Sequence, residues 1–208
     1  MASVKNFHHP GDLDPYPATN ALNRLHPHSR RAAKGMGQAL EIRTAEVDDA
    51  RGIAVVHVTS WQTAYRGLLP DDMLDELSVE QREGRSRAML ADPHPAGRTI
   101  VADRDGEIVG WASFGAGRDE GAGEQGELWA LYARPDLYST GVGHALIAAV
   151  ETALCEEGFA SAYLWVLDGN DRAATFYERR GWTEDGTVKL DERQNTTLLE
   201  RRRTKSLG

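Results

Sequence analysis

A mixed α/β sheet with helices on both of its faces is the fold that this 208-residue sequence predicts. Three observations carry that expectation. Two strands, residues 128–133 (LWALYA) and 161–167 (SAYLWVL), are apolar on both faces and so belong at the centre of a sheet. A helical stretch, residues 142–157, lies between them as a crossover. An Asp105-Gly106 pair between apolar runs marks a hairpin, so other parts of the sheet are joined by tight turns.

The elements follow in order. Residues 40–44 (LEIRT) alternate as a short strand. Residues 47–65 read as a long helix opened by Glu46, Asp48 and Asp49, whose charges suit the positive end of a helix. Gly67 ends it, and Pro70 begins a short helix carrying Asp71, Asp72 and Asp75 early in it. Residues 79–90 form a third helix, stopped by Pro93, Pro95 and Gly97. Residues 99–103 and 107–114 flank the turn Arg104-Asp105-Gly106, and a glycine- and acid-rich loop follows over 115–126. Past the first central strand, the helix over 142–157 ends at Gly158; past the second, a helix over 171–180 closes at Gly181. Two weaker strands, near 183–190 and 195–202, complete the order β-α-α-α-β-β-β-α-β-α-β-β.

Residues 1–38 differ from the rest. They hold four of the seven histidines (His8, His9, His26, His28), carry a charge of about +3 and show no periodicity. They are expected to be a mobile N-terminal extension, with the folded domain over 39–208. The histidines have no compact ligand spacing, so no metal is expected. A net charge of -8 argues against a nucleic-acid partner. No run approaches the roughly 20 apolar residues of a membrane helix, so no membrane partner is expected. The absence of an apolar leader and the single Cys155 point to a reducing, cytoplasmic setting. Cys155, mid-helix, is expected to be packed rather than reactive.

Two stretches carry the chemistry. In the first, ELWALYARPDLYSTGVGHAL (127–146), a buried strand runs through a loop with Gly141 and Gly143 straight into a helix. A helix start leaves N–H groups unpaired at a positive pole, and glycines let backbone close around an anion. The loop is therefore either a pyrophosphate cradle or a plain tight turn. It is not a dinucleotide fingerprint, because Leu146 stands where the third glycine is needed. Nor is it a Walker loop, because no Gly-Lys-Ser/Thr is present. The second stretch is NDRAATFYERRGW (170–182): Asn170 suits an N-cap, Ala173 and Phe176 share a face, and Tyr177 stands beside it.

Together the two stretches resemble the paired signature of the GNAT acetyltransferases. The first motif is met at Pro135, Gly141, Gly143 and Leu146, and the second at Asn170, Ala173, Phe176, Tyr177, Gly181 and Trp182. Tyr138 departs from the pattern, standing where the family usually carries Gln or Arg. The resemblance implies the GNAT fold: a mostly antiparallel sheet with one splayed parallel strand pair. It implies acetyl-CoA as cosubstrate, with pantetheine lying in the splay against the backbone of Leu131, Tyr132 and Ala133. Ser139, Thr140, Gly141, Val142 and Gly143 would hold the pyrophosphate, and Asn170, Ala173 and Phe176 would line the cofactor side.

The implied reaction is attack of a neutral amine on a thioester. Tyr177 resembles the family's general acid; the competing view is a packed aromatic. Glu127 resembles a general base, against a solvated strand-start carboxylate; Glu120 and Glu124 are further candidates. Trp61 and Tyr65, one turn apart, either cup an acceptor amine or pack in the core. His57 is expected to be a hydrogen-bonded structural residue. The acceptor implied is a small-molecule amine; a protein or peptide acceptor, or a non-catalytic acyl-CoA-binding module, are the alternatives. Frequent pairing within the family implies a homodimer.

Overall fold

Strands β2 (Gly97–Arg104) and β3 (Glu107–Ala116) turn on Asp105 and Gly106, with φ of 56° and 85°. A two-residue hairpin demands positive φ at both positions, which is why Asp-Gly serves there. The computed structural model describes residues 39–193 and 196–208; the expected extension over 1–38 lies outside the described residues.

The chain begins with β1 (Leu40–Thr44), followed by a 3-10 turn (Val47–Asp49) and α1 (Ala50–Ala64). Glu46 and Asp49 cap each other's backbone amides, and Asp49 also takes two bonds from the Arg43 guanidinium, at 2.7 and 2.8 Å. Two helices follow, α2 (Asp71–Asp75) and α3 (Val79–Ala91). After the β2–β3 hairpin come β4 (Gly126–Ala133), α4 (Val142–Glu156), β5 (Ser161–Leu167) and α5 (Asp171–Glu178). The chain closes on β6 (Thr183–Arg193) and β7 (Thr196–Ser206), both longer than the sequence predicts.

All seven strands form one sheet in the order β1-β2-β3-β4-β5-β7-β6. Every neighbouring pair is antiparallel except β4 and β5, which are parallel and joined by α4. The predicted mixed sheet is therefore present. On one face, Ile53 and Val56 of α1 pack on Val101, Trp111 and Ala130. On the other, Leu146, Ile147, Val150 and Leu154 of α4 pack on Ala112, Phe114, Leu128 and Leu164, joined by Tyr177 and Trp182. Eight of the ten β3 residues are buried, so β3, sandwiched between both helical layers, is as central as the two strands singled out from sequence.

Cys155 is exposed, contrary to the packed position expected for it. It falls on the side of α4 away from the sheet, whereas Leu154 next to it is fully buried. Among the described residues, no helix is long and apolar enough to cross a membrane.

Candidate active site

The site begins where two strands part. β4 and β5 pair only at Gly126–Ala162, Glu127–Tyr163 and Leu128–Leu164. Beyond that point β4 runs on to Ala133 and β5 to Leu167 without pairing with each other. The register of β3 against β4 shifts at the same place: Phe114 faces Leu128 and Ser113 faces Ala130, so Trp129 is a bulged residue. A bulge bends its strand, and here the bend coincides with the split. A cavity of about 1040 Å³ fills the gap, lined by residues 128–133 of β4 and 164–167 of β5.

The glycine loop stands at the mouth of this cavity. After a 3-10 turn (Pro135–Leu137), Ser139 and Gly141 adopt φ of 64° and 97°, and α4 starts at Val142. The first bond of that helix end runs from the Ala145 amide to the Gly141 carbonyl, so the amides just ahead of it have no helical acceptor. Ser139, Gly141 and Gly143 line the cavity. Thr140 and Val142 do not present side chains to it: the Thr140 hydroxyl donates to the Leu137 carbonyl at 2.7 Å, and Val142 is buried in the core.

Helix α5 closes the other side. Asn170 Oδ1 accepts from the Ala173 amide at 3.2 Å, the expected cap. Asn170, Ala173, Phe176 and Tyr177 all line the cavity. Tyr177 is 9% exposed, with Phe176 and Trp182 edge-on at 5.1 and 6.3 Å. Burial, and to a lesser degree Tyr132, push its hydroxyl well above the usual tyrosine range. It therefore stays protonated at neutral pH and is able to donate.

Trp61 and Tyr65 meet edge-to-face at 4.8 Å and also line the cavity. The Tyr65 hydroxyl bonds with Tyr132 and is likewise held high, burial being the main cause. His57 is not the hydrogen-bonded residue expected. It is 4% exposed, stacks on Trp61 at 5.1 Å and Trp111 at 6.0 Å, and its Nδ1 has no hydrogen-bond partner among the described residues. Burial, aided by Arg82 and Arg85, pushes its pKa down, so it stays neutral.

Glu127 lies on the cavity wall but is 2% exposed and fully engaged. Its Oε1 accepts from Arg118 Nη2 at 2.6 Å. Its Oε2 accepts from Arg118 Nε, the Arg118 amide and the Tyr163 hydroxyl, at 3.0, 2.9 and 3.0 Å. The general-base expectation thus falls on a carboxylate whose two oxygens are both held, by Arg118 and by the Tyr163 hydroxyl.

Sequence reasoning passed over several cavity residues. Arg172, Arg179, Arg180 and His144 gather beside the glycine loop. The Arg172 guanidinium lies 3.3 Å from the ring centre of Tyr138, so the motif's departure is accompanied by a cation supplied from α5. The two arginines after Glu178 were visible as ERRGW, but their direction depends on how the helix ends. Trp165, Lys189, Asp191 and Glu200 line the cavity too.

Residues 57–182 match the Acetyltransferase (GNAT) family. The uncharacterized N-acetyltransferase YuaI of Bacillus subtilis (strain 168) is 35% identical over 137 residues, covering 66% of this chain and 76% of its own. A GCN5-related N-acetyltransferase structure from Rhodopseudomonas palustris is similar with a TM-score of 0.64 at 23% identity, over 83% of this chain and 99% of that one. The PaiA N-acetyltransferase from Thermoplasma acidophilum, solved in complex with coenzyme A, gives 0.60 at 16% identity, over 81% and 99%. Sequence family and backbone topology agree along the whole crossover from β4 to α5: this chain belongs to the acetyltransferase (GNAT) family and is an N-acetyltransferase.

Proposed function

We propose that the chain transfers the acetyl group of acetyl-CoA to the primary amine of a small molecule, with both substrates bound together. The observation that supports this most is the edge of β4 that β5 leaves open beyond Leu128, which faces the same cavity as Tyr177. An open strand edge offers amides and carbonyls to an extended amide-bearing chain such as pantetheine. The left-handed turn at Ser139–Gly141 and the helix end behind it suit a diphosphate. Arg172, Arg179 and Arg180 add positive charge at that mouth. The residues present thus fit the group.

Bound acetyl-CoA supplies an activated acetyl thioester. The amine nitrogen bonds to the acetyl carbon as the carbon–sulfur bond breaks, and the Tyr177 hydroxyl gives its proton to the departing sulfur. Glu127 acts as an anchor: it ties Arg118 and the loop after β3 to β5 through Tyr163. The amine's own proton leaves through water, which returns a proton to the Tyr177 oxygen. Walls contributed by α1, β5 and the β6–β7 hairpin support a small acceptor over an extended peptide.

Thiol release from acetyl-CoA over a panel of amines tests this. Amine-dependent release is expected. Tight coenzyme A binding with no release on any amine would favour a binding module instead.

A further inference from the structure

Resting on the transfer proposed above, we infer that the acceptor is a cationic primary amine on a flat apolar body, its ammonium held by the Glu200 carboxylate against the ring of Trp165.

The strands place these groups side by side. Leu167 of β5 faces Glu200 of β7, and Glu200 faces Lys189 of β6, so the three lie abreast on one side of the sheet. One step along, Leu198 faces Asp191. All five line the cavity, as does Trp165. Trp165 is held in place by a bond from its indole N–H to Asp119 at 2.8 Å.

A primary ammonium already occupies this position. Lys189 Nζ lies 4.4 Å from the Trp165 ring centre and 3.1 Å from Glu200 Oε2. An aromatic face plus a carboxylate is the pairing that holds an alkylammonium. The Lys189 and Glu200 side chains are 38% and 23% exposed, so their bond is weak and exchangeable. The Arg118–Glu127 pair is the opposite case, since Glu127 is closed off.

Two further observations link these groups to the chemistry. The charge of Glu200 and the hydroxyl of Tyr177 both help to raise the Tyr65 hydroxyl, so both groups lie near Tyr65. Trp61, 8% exposed, lines the same cavity with its indole N–H unpartnered among the described residues. Trp61, Leu69, Leu198 and Trp165 make the walls flat and apolar, which suits an amine carried on a ring better than one on a polar chain. The arriving ammonium takes the place of Lys189 on Glu200, and after losing a proton to water it leaves the carboxylate as the neutral amine that attacks the acetyl carbon.

The test is steady-state kinetics with 2-phenylethylamine and phenylalanine as probes, the second adding a carboxylate to the same body. Wild type, Glu200→Gln and Lys189→Met are compared, with calorimetric coenzyme A affinity as the check on folding. Wild type is expected to prefer phenylethylamine by about tenfold or more. Glu200→Gln should raise its KM about tenfold, the loss of one charge-assisted contact. Lys189→Met should lower that KM, because the internal competitor is gone. A merely structural ion pair would move both variants in the same direction, and that result, or a preference for phenylalanine, overturns the inference. Turnover of other amines but not phenylethylamine also overturns it while leaving the transfer intact. No turnover of any amine overturns both.

Discussion

Leu128 and Leu164 are the last residues at which β4 and β5 touch, and the bulge at Trp129 begins one position later. That single step separates a closed sheet from an open one. Behind it, Leu128 and Leu164 are buried in the core under α4; ahead of it, the same strands wall a cavity. The cleft is thus an unfinished part of the sheet, held open by the well-packed part.

Replacing Tyr177 by Phe should lower kcat about 100- to 10,000-fold, the range for a lost general acid. Coenzyme A affinity should change little, because the ring and its contacts to Phe176 and Trp182 remain. Pre-steady-state measurement of acetyl transfer checks this; wild-type rates in the variant would remove the assigned role.

The raised tyrosines make an alkaline prediction. Tyr65 and Tyr177 are both held above the ordinary value of 10.0, chiefly by burial. A group whose pKa is raised by folding contributes fully below its unfolded value and loses that contribution as pH rises through the folded one. Thermal stability should therefore hold up to about pH 10 and fall beyond it. Melting curves over that window should show a shallower fall in Tyr177→Phe than in wild type. Parallel curves would contradict the assignment.

Glu127→Gln separates an anchor from a base. Breaking the Arg118–Glu127 pair should cost stability, up to about 3–5 kcal/mol if the partner charge were fully buried, and less here because Arg118 is partly exposed. Turnover per folded molecule should stay within about tenfold, whereas loss of a base costs about 100-fold or more. A stable, inactive variant would restore Glu127 to the chemistry.

At the other end, Gly141→Ala forces a side chain into φ of 97° with nothing nearby to clash. The backbone strain alone should cost about 1–2 kcal/mol, felt as weaker coenzyme A binding, a lower melting temperature, or both. Arg172→Ala should weaken coenzyme A binding in low salt more than in high salt. Titration calorimetry at two ionic strengths, with melting curves for Gly141→Ala, reads both effects; an Arg172→Ala affinity equal to wild type at both would remove Arg172 from the binding surface, and a Gly141→Ala protein unchanged in affinity and melting would contradict the strain at that turn.

Much of this was legible in the sequence because it depends on neighbours along the chain. The Asp105–Gly106 hairpin, the two-faced apolar strands and the Asn170 cap each follow from local chemistry. What escaped depends on distant partners. The bulky Arg118 folds back across nine positions to hold the Glu127 carboxylate, a contact that no local pattern announces. Strands β6 and β7 looked weak because they are rich in charge, yet cross-strand pairs such as Lys189–Glu200 and Asp185–Arg202 join them. The approach of Arg172 to Tyr138 joins α5 to the loop before α4, and no spacing rule connects those positions.

Amide hydrogen exchange of the whole chain, with and without saturating coenzyme A, tests the parted-strand account most directly. Protection is expected at residues 129–133 of β4 and in the loop 139–143, with β1 and β2 unchanged. Bound coenzyme A that leaves both segments exchanging as in the free protein would show that the arm does not lie between β4 and β5.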